Sequence, residues 1–132
     1  MQASASVDGR TLEGVRVFVV EDESLVAMQL EDMLLDFGCE IAGLAMRVAR
    51  AREMIGANLE ADIAVLDVNI AGETVYPIAE LLRSLNIPIV FATGYGRTGV
   101  VEDWQSCPIL QKPYTEREMA AALRTALSNP LG

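Results

Sequence analysis

The feature that most constrains this chain is an alternation of two apolar periods. Short, nearly continuous aliphatic runs are each followed by a longer stretch in which apolar residues recur every three or four positions. Val15-Arg16-Val17-Phe18-Val19-Val20 reads as a first strand, and Leu25, Val26, Leu30, Met33, Leu34 and Phe37 read as the buried stripe of a first helix. Gly38 stands where a left-handed helix cap belongs. Ile41 to Ala45 predicts a weaker second strand, and Val48, Ala51, Ile55 and Leu59 a second helix. Ile63-Ala64-Val65-Leu66 is a third strand ending at Asp67. Val75, Ile78, Leu81, Leu82 and Leu85 mark a third helix, in which Pro77 is tolerable only in the first turn. Ile87-Pro88-Ile89-Val90-Phe91-Ala92 is a fourth strand with proline at its start. The stretch from Thr93 to Ser106 holds Gly94, Gly96 and Gly99, so any helix there is expected to be short or loose. Pro108-Ile109-Leu110-Gln111 is a fifth strand. Thr115 and Glu118 form the T-x-x-E box of a final helix striped by Met119, Ala122, Leu123, Ala126 and Leu127.

Strands that are apolar on both sides need cover on both faces, which predicts a parallel sheet in an α/β fold. At 132 residues the chain has room for one domain, expected over residues 15–128, with a flexible tail over 1–14 and a short one over 129–132. Ten basic against 19 acidic residues give a net charge of −9, which disfavours nucleic acid and anionic membranes and permits Mg²⁺ or a basic protein partner. No run approaches the ~18 apolar residues of a membrane span. The opening residues lack the apolar core of a secretory signal, so a cytoplasmic location is expected. There is no histidine, which excludes Ser–His and Cys–His catalysis, and two cysteines do not make a disulfide framework.

In an open parallel sheet, ligands bind beyond the carboxyl ends of the strands. Strand one is followed by Glu21 and Asp22, strand three ends at Asp67, strand four at Thr93, and strand five at Lys112 before Pro113. Singly, each has an ordinary reading: acids favour a helix start, a strand end is solvated, Thr before Gly makes turns, and a lysine is exposed. Together, three carboxylates, a hydroxyl and an ammonium share one sheet edge. Clustered carboxylates repel unless a cation lies among them, and an oxygen-only donor set suits a hard ion such as Mg²⁺. A carboxylate can act as a nucleophile toward phosphorus, while a cation, an ammonium and a hydroxyl can neutralise the transferred oxygens.

On these residues the chain resembles the CheY-like receiver domain of two-component response regulators, from about Arg16 to Leu127. The resemblance implies a flavodoxin-like doubly wound sheet of five parallel strands in the order 2-1-3-4-5. It makes Glu21 and Asp22 the acidic metal pair and Asp67 the phosphoacceptor. The Asn69 backbone carbonyl becomes a further metal ligand, Thr93 the switch hydroxyl and Lys112 the phosphoryl-contacting lysine. The Lys112–Pro113 bond is expected to be cis. That strand order sets Cys39 and Cys107 on opposite edges, roughly 19 Å apart and beyond disulfide reach.

The chain departs from the family twice. The usual Met-Pro pair after the phosphoacceptor is replaced in Asp67-Val68-Asn69-Ile70-Ala71-Gly72-Glu73, and the switch aromatic of strand five is Ile109. The run Phe91-Ala92-Thr93-Gly94-Tyr95 is similar to the motif of the FATGUY group of single-domain receivers. That implies a short or disordered fourth helix and an HWE-type histidine kinase as partner. Tyr95 is then a candidate switch aromatic in place of the missing one. The expected function is that of a stand-alone response regulator, not an enzyme, that signals through a protein partner. The alternative is a protein-binding module of the same fold that works without phosphorylation. A metal-dependent phosphatase would need a second acid where Asn69 stands and a capping insertion for which there is no room.

Overall fold

The computed structural model of the protein describes residues 11–128. Most of the two expected tails, residues 1–10 and 129–132, lies outside the described residues. In chain order the elements are β1 (Arg16–Val20), α1 (Ser24–Asp36), β2 (Glu40–Ala45), α2 (Val48–Gly56), β3 (Ile63–Asp67), β4 (Asn69–Ile70), β5 (Glu73–Thr74), α3 (Tyr76–Ser84), β6 (Ile89–Thr93), β7 (Ile109–Gln111) and α4 (Glu116–Ser128). Five parallel strands form one sheet in the order β2-β1-β3-β6-β7. This is the flavodoxin-like α/β arrangement that the resemblance implied. Among the described residues no helix is long and apolar enough to cross a membrane.

The alternation of side chains along the strands explains why the strands read as continuous apolar runs. Phe18, Val20, Ala64, Leu66, Ile89 and Phe91 face one way and are buried against α2, α3 and Trp104. Val17, Val19, Ile63, Val65, Val90 and Ala92 face the other way and are buried against α1 and α4. Cys39 and Cys107 are both free.

The helix ends follow their local chemistry. After α1, Gly38 adopts φ 87°, and the N–H of Cys39 returns to the Leu34 carbonyl at 3.0 Å. Helix α2 stops at Gly56, short of Leu59, because Asn58 turns left-handed with φ 63°. Pro77 sits in the first turn of α3. The Thr115 hydroxyl accepts the Glu118 N–H at 3.1 Å while the Glu118 carboxylate accepts the Thr115 N–H at 2.8 Å, closing the capping box of α4. The Lys112–Pro113 bond is cis. Leu12, in the stretch read as tail, is buried, and the Gly14 N–H bonds the Gly38 carbonyl at 2.8 Å.

Two regions differ from the sequence reading. The first is the antiparallel hairpin of β4 and β5, pairing Asn69 with Thr74 and Ile70 with Glu73, where the sequence showed only a departure from the family pattern. The second is the glycine-rich stretch after Thr93. Its helix is short, as expected, being two single 3₁₀ turns at Gly96–Gly99 and Glu102–Trp104, but the stretch is tied down and not loose. Trp104 is 3% exposed and packs on Phe91 and Tyr76. The Val101 N–H donates to the Tyr76 hydroxyl at 3.0 Å, and the Gln105 side-chain amide donates to the carbonyls of Arg97 and Val100. The Arg83 guanidinium lies 3.7 Å from the centre of the Trp104 ring.

Candidate functional site

The parallel sheet carries its strand ends to one edge, and the residues singled out in the sequence converge there. Glu21 follows β1 and is fixed through its backbone N–H, which donates to the Ala45 carbonyl at 3.0 Å. Its side chain is almost fully buried, with one carboxylate oxygen accepting the Glu23 N–H at 3.1 Å. Asp67 ends β3 and Thr93 ends β6. Lys112 follows β7, where its backbone N–H donates to the Thr93 carbonyl at 2.9 Å. From there its ammonium donates to Glu21 Oε1 at 2.7 Å and to Asp67 Oδ2 at 2.9 Å.

Glu21, Asp22 and Asp67 each offer a carboxylate oxygen, and these atoms lie within 4.8 Å of one another. One ammonium against three carboxylates leaves two negative charges uncompensated, which matches a divalent cation. The donors are all oxygens, the set a hard ion prefers, so the residues fit Mg²⁺. Burial raises the Glu21 carboxyl above the ordinary carboxylate range, against the lowering pull of Lys112 and the Glu23 N–H. Burial works to lower the Lys112 ammonium, but its hydrogen bonds to Glu21 and Asp67, with their charges, outweigh burial and hold it above the ordinary lysine value.

These groups open onto a cleft of about 520 Å³ lined by Asp22, Asp67, Asn69, Thr93, Tyr95 and Lys112, among others. Asn69 lies on β4 and its N–H reaches Asp67 Oδ1 at 3.4 Å. The Thr93 hydroxyl oxygen accepts the Tyr95 N–H at 3.2 Å, and its proton has no protein acceptor among the described residues. Tyr95 is 76% exposed at the mouth of the cleft. Ile109, at the family's aromatic position, is half-buried and packs against the core beside Phe91.

Sequence reasoning missed the far walls of this cleft. One wall is the hairpin turn, whose Ala71 N–H donates to Asp22 Oδ2 at 2.9 Å. Ala71 and Gly72 both have positive φ, 52° and 87°, as a two-residue hairpin turn requires. The X-Gly step between Ile70 and Glu73 was the available signal. The other wall is Gly99, where a Cβ would stand 2.8 Å from the Thr93 hydroxyl oxygen. No sequence pattern marks that approach, since it depends on how the first 3₁₀ turn folds back.

A five-stranded parallel sheet in this order with this acidic edge and its lysine is the arrangement of a CheY-like receiver. The chain belongs to the receiver-domain family of response regulators. It is similar to SdrG from Sphingomonas melonis Fr1, at 40% identity and a TM-score of 0.77, over 87% of this chain and 97% of that one. It is similar also to the receiver domain of the response regulator PhyR from Erythrobacter litoralis, at 26% identity and a TM-score of 0.80, over 93% of this chain and 97% of that one. The transcriptional regulatory protein PdtaR of Mycobacterium tuberculosis is 31% identical over 117 residues, 86% of this chain. The chain spans 57% of the length of PdtaR. No model of a known protein family matches the sequence.

Proposed function

We propose that this protein accepts a phosphoryl group on Asp67 from a histidine kinase, with Mg²⁺ held by Glu21, Asp22, Asp67 and the Asn69 backbone carbonyl, and signals through a protein partner. The observation that carries this reading is the convergence of three carboxylates, two of them paired with the single Lys112 ammonium, which leaves two negative charges for a cation. Receiver-domain relatives support the class of chemistry.

An Asp67 carboxylate oxygen forms a bond to phosphorus as the bond from phosphorus to the donor's histidine nitrogen breaks, and the electron pair returns to the imidazole. Lys112, already hydrogen-bonded to Asp67, follows the charge onto the phosphoryl oxygens, and the Thr93 hydroxyl donates its free proton to one of them. Mg²⁺, when bound, supplies the remaining positive charge those oxygens need. Thr93 is tethered to the backbone of Tyr95, so its inward movement pulls on the segment that follows and on the exposed Tyr95 ring. Tyr95 thereby serves as the switch aromatic that Ile109 cannot be. The Phe91 to Tyr95 run makes an HWE-type kinase the expected donor.

Treatment with acetyl phosphate and Mg²⁺, followed by trapping with hydroxylamine, tests the acceptor. A hydroxamate at Asp67, found by peptide mass mapping, is the expected product. A hydroxamate at Asp22 or Glu21 instead would overturn the assignment of the nucleophile.

A further inference from the structure

The stretch that replaces the Met-Pro pair after Asp67 lends the chemistry above only the Asn69 carbonyl, yet it builds a defined element. Asn69-Ile70 and Glu73-Thr74 pair as a two-residue hairpin, anchored by the fully buried Ile70. The Val75 N–H closes its base on the Val68 carbonyl at 2.8 Å. At the tip, the Ala71 N–H points across the cleft to Asp22, 49 positions earlier in the chain, and holds Oδ2 at 2.9 Å. Glu21 is fixed by Lys112 and by the Glu23 N–H. The hairpin tip is the hydrogen-bond donor found for the Asp22 carboxylate among the described residues. A carboxylate held by an outer hydrogen bond presents its remaining lone pairs in a set direction, and such supports tune metal affinity.

We propose that the Asn69–Thr74 hairpin is a positioning element for the cation site: the Ala71 N–H orients the Asp22 carboxylate, and the stability of the turn sets the affinity for Mg²⁺. The proposal rests on the cation reading of Glu21, Asp22 and Asp67. Linkage makes the effect reciprocal, so Mg²⁺ firms the hairpin to the degree that the hairpin favours Mg²⁺. A partner that grips the exposed Glu73 and Thr74 would therefore tighten or loosen the cation without touching it.

Gly72 offers a test that changes none of the carboxylates of the site. Its φ of 87° is left-handed and nothing lies within 4 Å of an added Cβ, so a substitution there acts on turn conformation and not by collision. Asn tolerates that conformation and Val does not. Calorimetric Mg²⁺ titration at 20 °C, with circular dichroism confirming that each variant is folded, should show Gly72→Val binding roughly tenfold more weakly than the parent. Gly72→Asn should stay within about twofold of the parent. In the parent, exchange of the Ala71 amide hydrogen, followed by NMR, should slow when Mg²⁺ is added. Equal Mg²⁺ affinity in the Val and Asn variants overturns the positioning role, as does an Ala71 amide whose exchange ignores Mg²⁺. A parent protein that binds no Mg²⁺ overturns the cation reading itself, and the hairpin's role with it.

Discussion

Lys112 is the residue on which the site balances. Its ammonium serves Glu21 and Asp67 at once, and all three side chains are largely withdrawn from water. The Lys112 stem crosses to them because its backbone is pinned to Thr93. Removing the ammonium leaves two buried carboxylates facing each other, a loss of the kind that costs roughly 3 kcal/mol. Lys112→Ala should therefore lower the unfolding free energy by about that amount in metal-free buffer. Mg²⁺ should recover more stability in the variant than in the parent, because the cation then meets carboxylates with no competing ammonium. Chemical denaturation with and without Mg²⁺ measures both. A variant as stable as the parent, with no larger Mg²⁺ response, would contradict the charge balance described here.

At the scale of the element, the segment between β6 and β7 does two things that its glycine content hides. It is short of helix, as three glycines in six positions imply, yet Trp104 locks its far end between Tyr76, Phe91 and Arg83. Its near end hangs on the Thr93 hydroxyl. The proposed movement of Thr93 would thus reach Trp104, the chain's single tryptophan, through the Gly96–Gly99 turn. Phosphorylation should change Trp104 emission, and Tyr95→Ala should suppress that change. Because Tyr95 is 76% exposed, the same variant should keep its stability within about 0.5 kcal/mol. Steady-state fluorescence with acetyl phosphate and Mg²⁺ checks the pair. An undiminished emission change in Tyr95→Ala would remove Tyr95 from the switch.

For the whole molecule, the two-sided core is what fixes the geometry of the edge. Val17 and Val19 look toward α1 and α4, Phe18 and Val20 toward α2 and α3, so β1 cannot slip by one residue without exchanging both faces. That register sets the buried Glu21 against Lys112, beneath the cleft. Much of this was legible because it is local or periodic: the strand runs, the Thr115–Glu118 box and the cap at Gly38 each signal their own structure. The Asp22–Ala71 bond and the approach of Gly99 to Thr93 were not legible, since each joins residues on separate loops and depends on how those loops fold. The hairpin lay between these cases, with a turn signal at Ala71-Gly72 but strands only two residues long, too short for alternation to register. The same acidic edge that makes the site also contributes to the net charge of −9, which suits a basic protein surface on a partner.

The most direct test is the intact mass of the protein after incubation with acetyl phosphate, with and without Mg²⁺, beside Asp67→Ala. A phosphoryl-sized gain that needs both Mg²⁺ and Asp67 is the expected result. A gain that persists in Asp67→Ala would contradict the role given to Asp67.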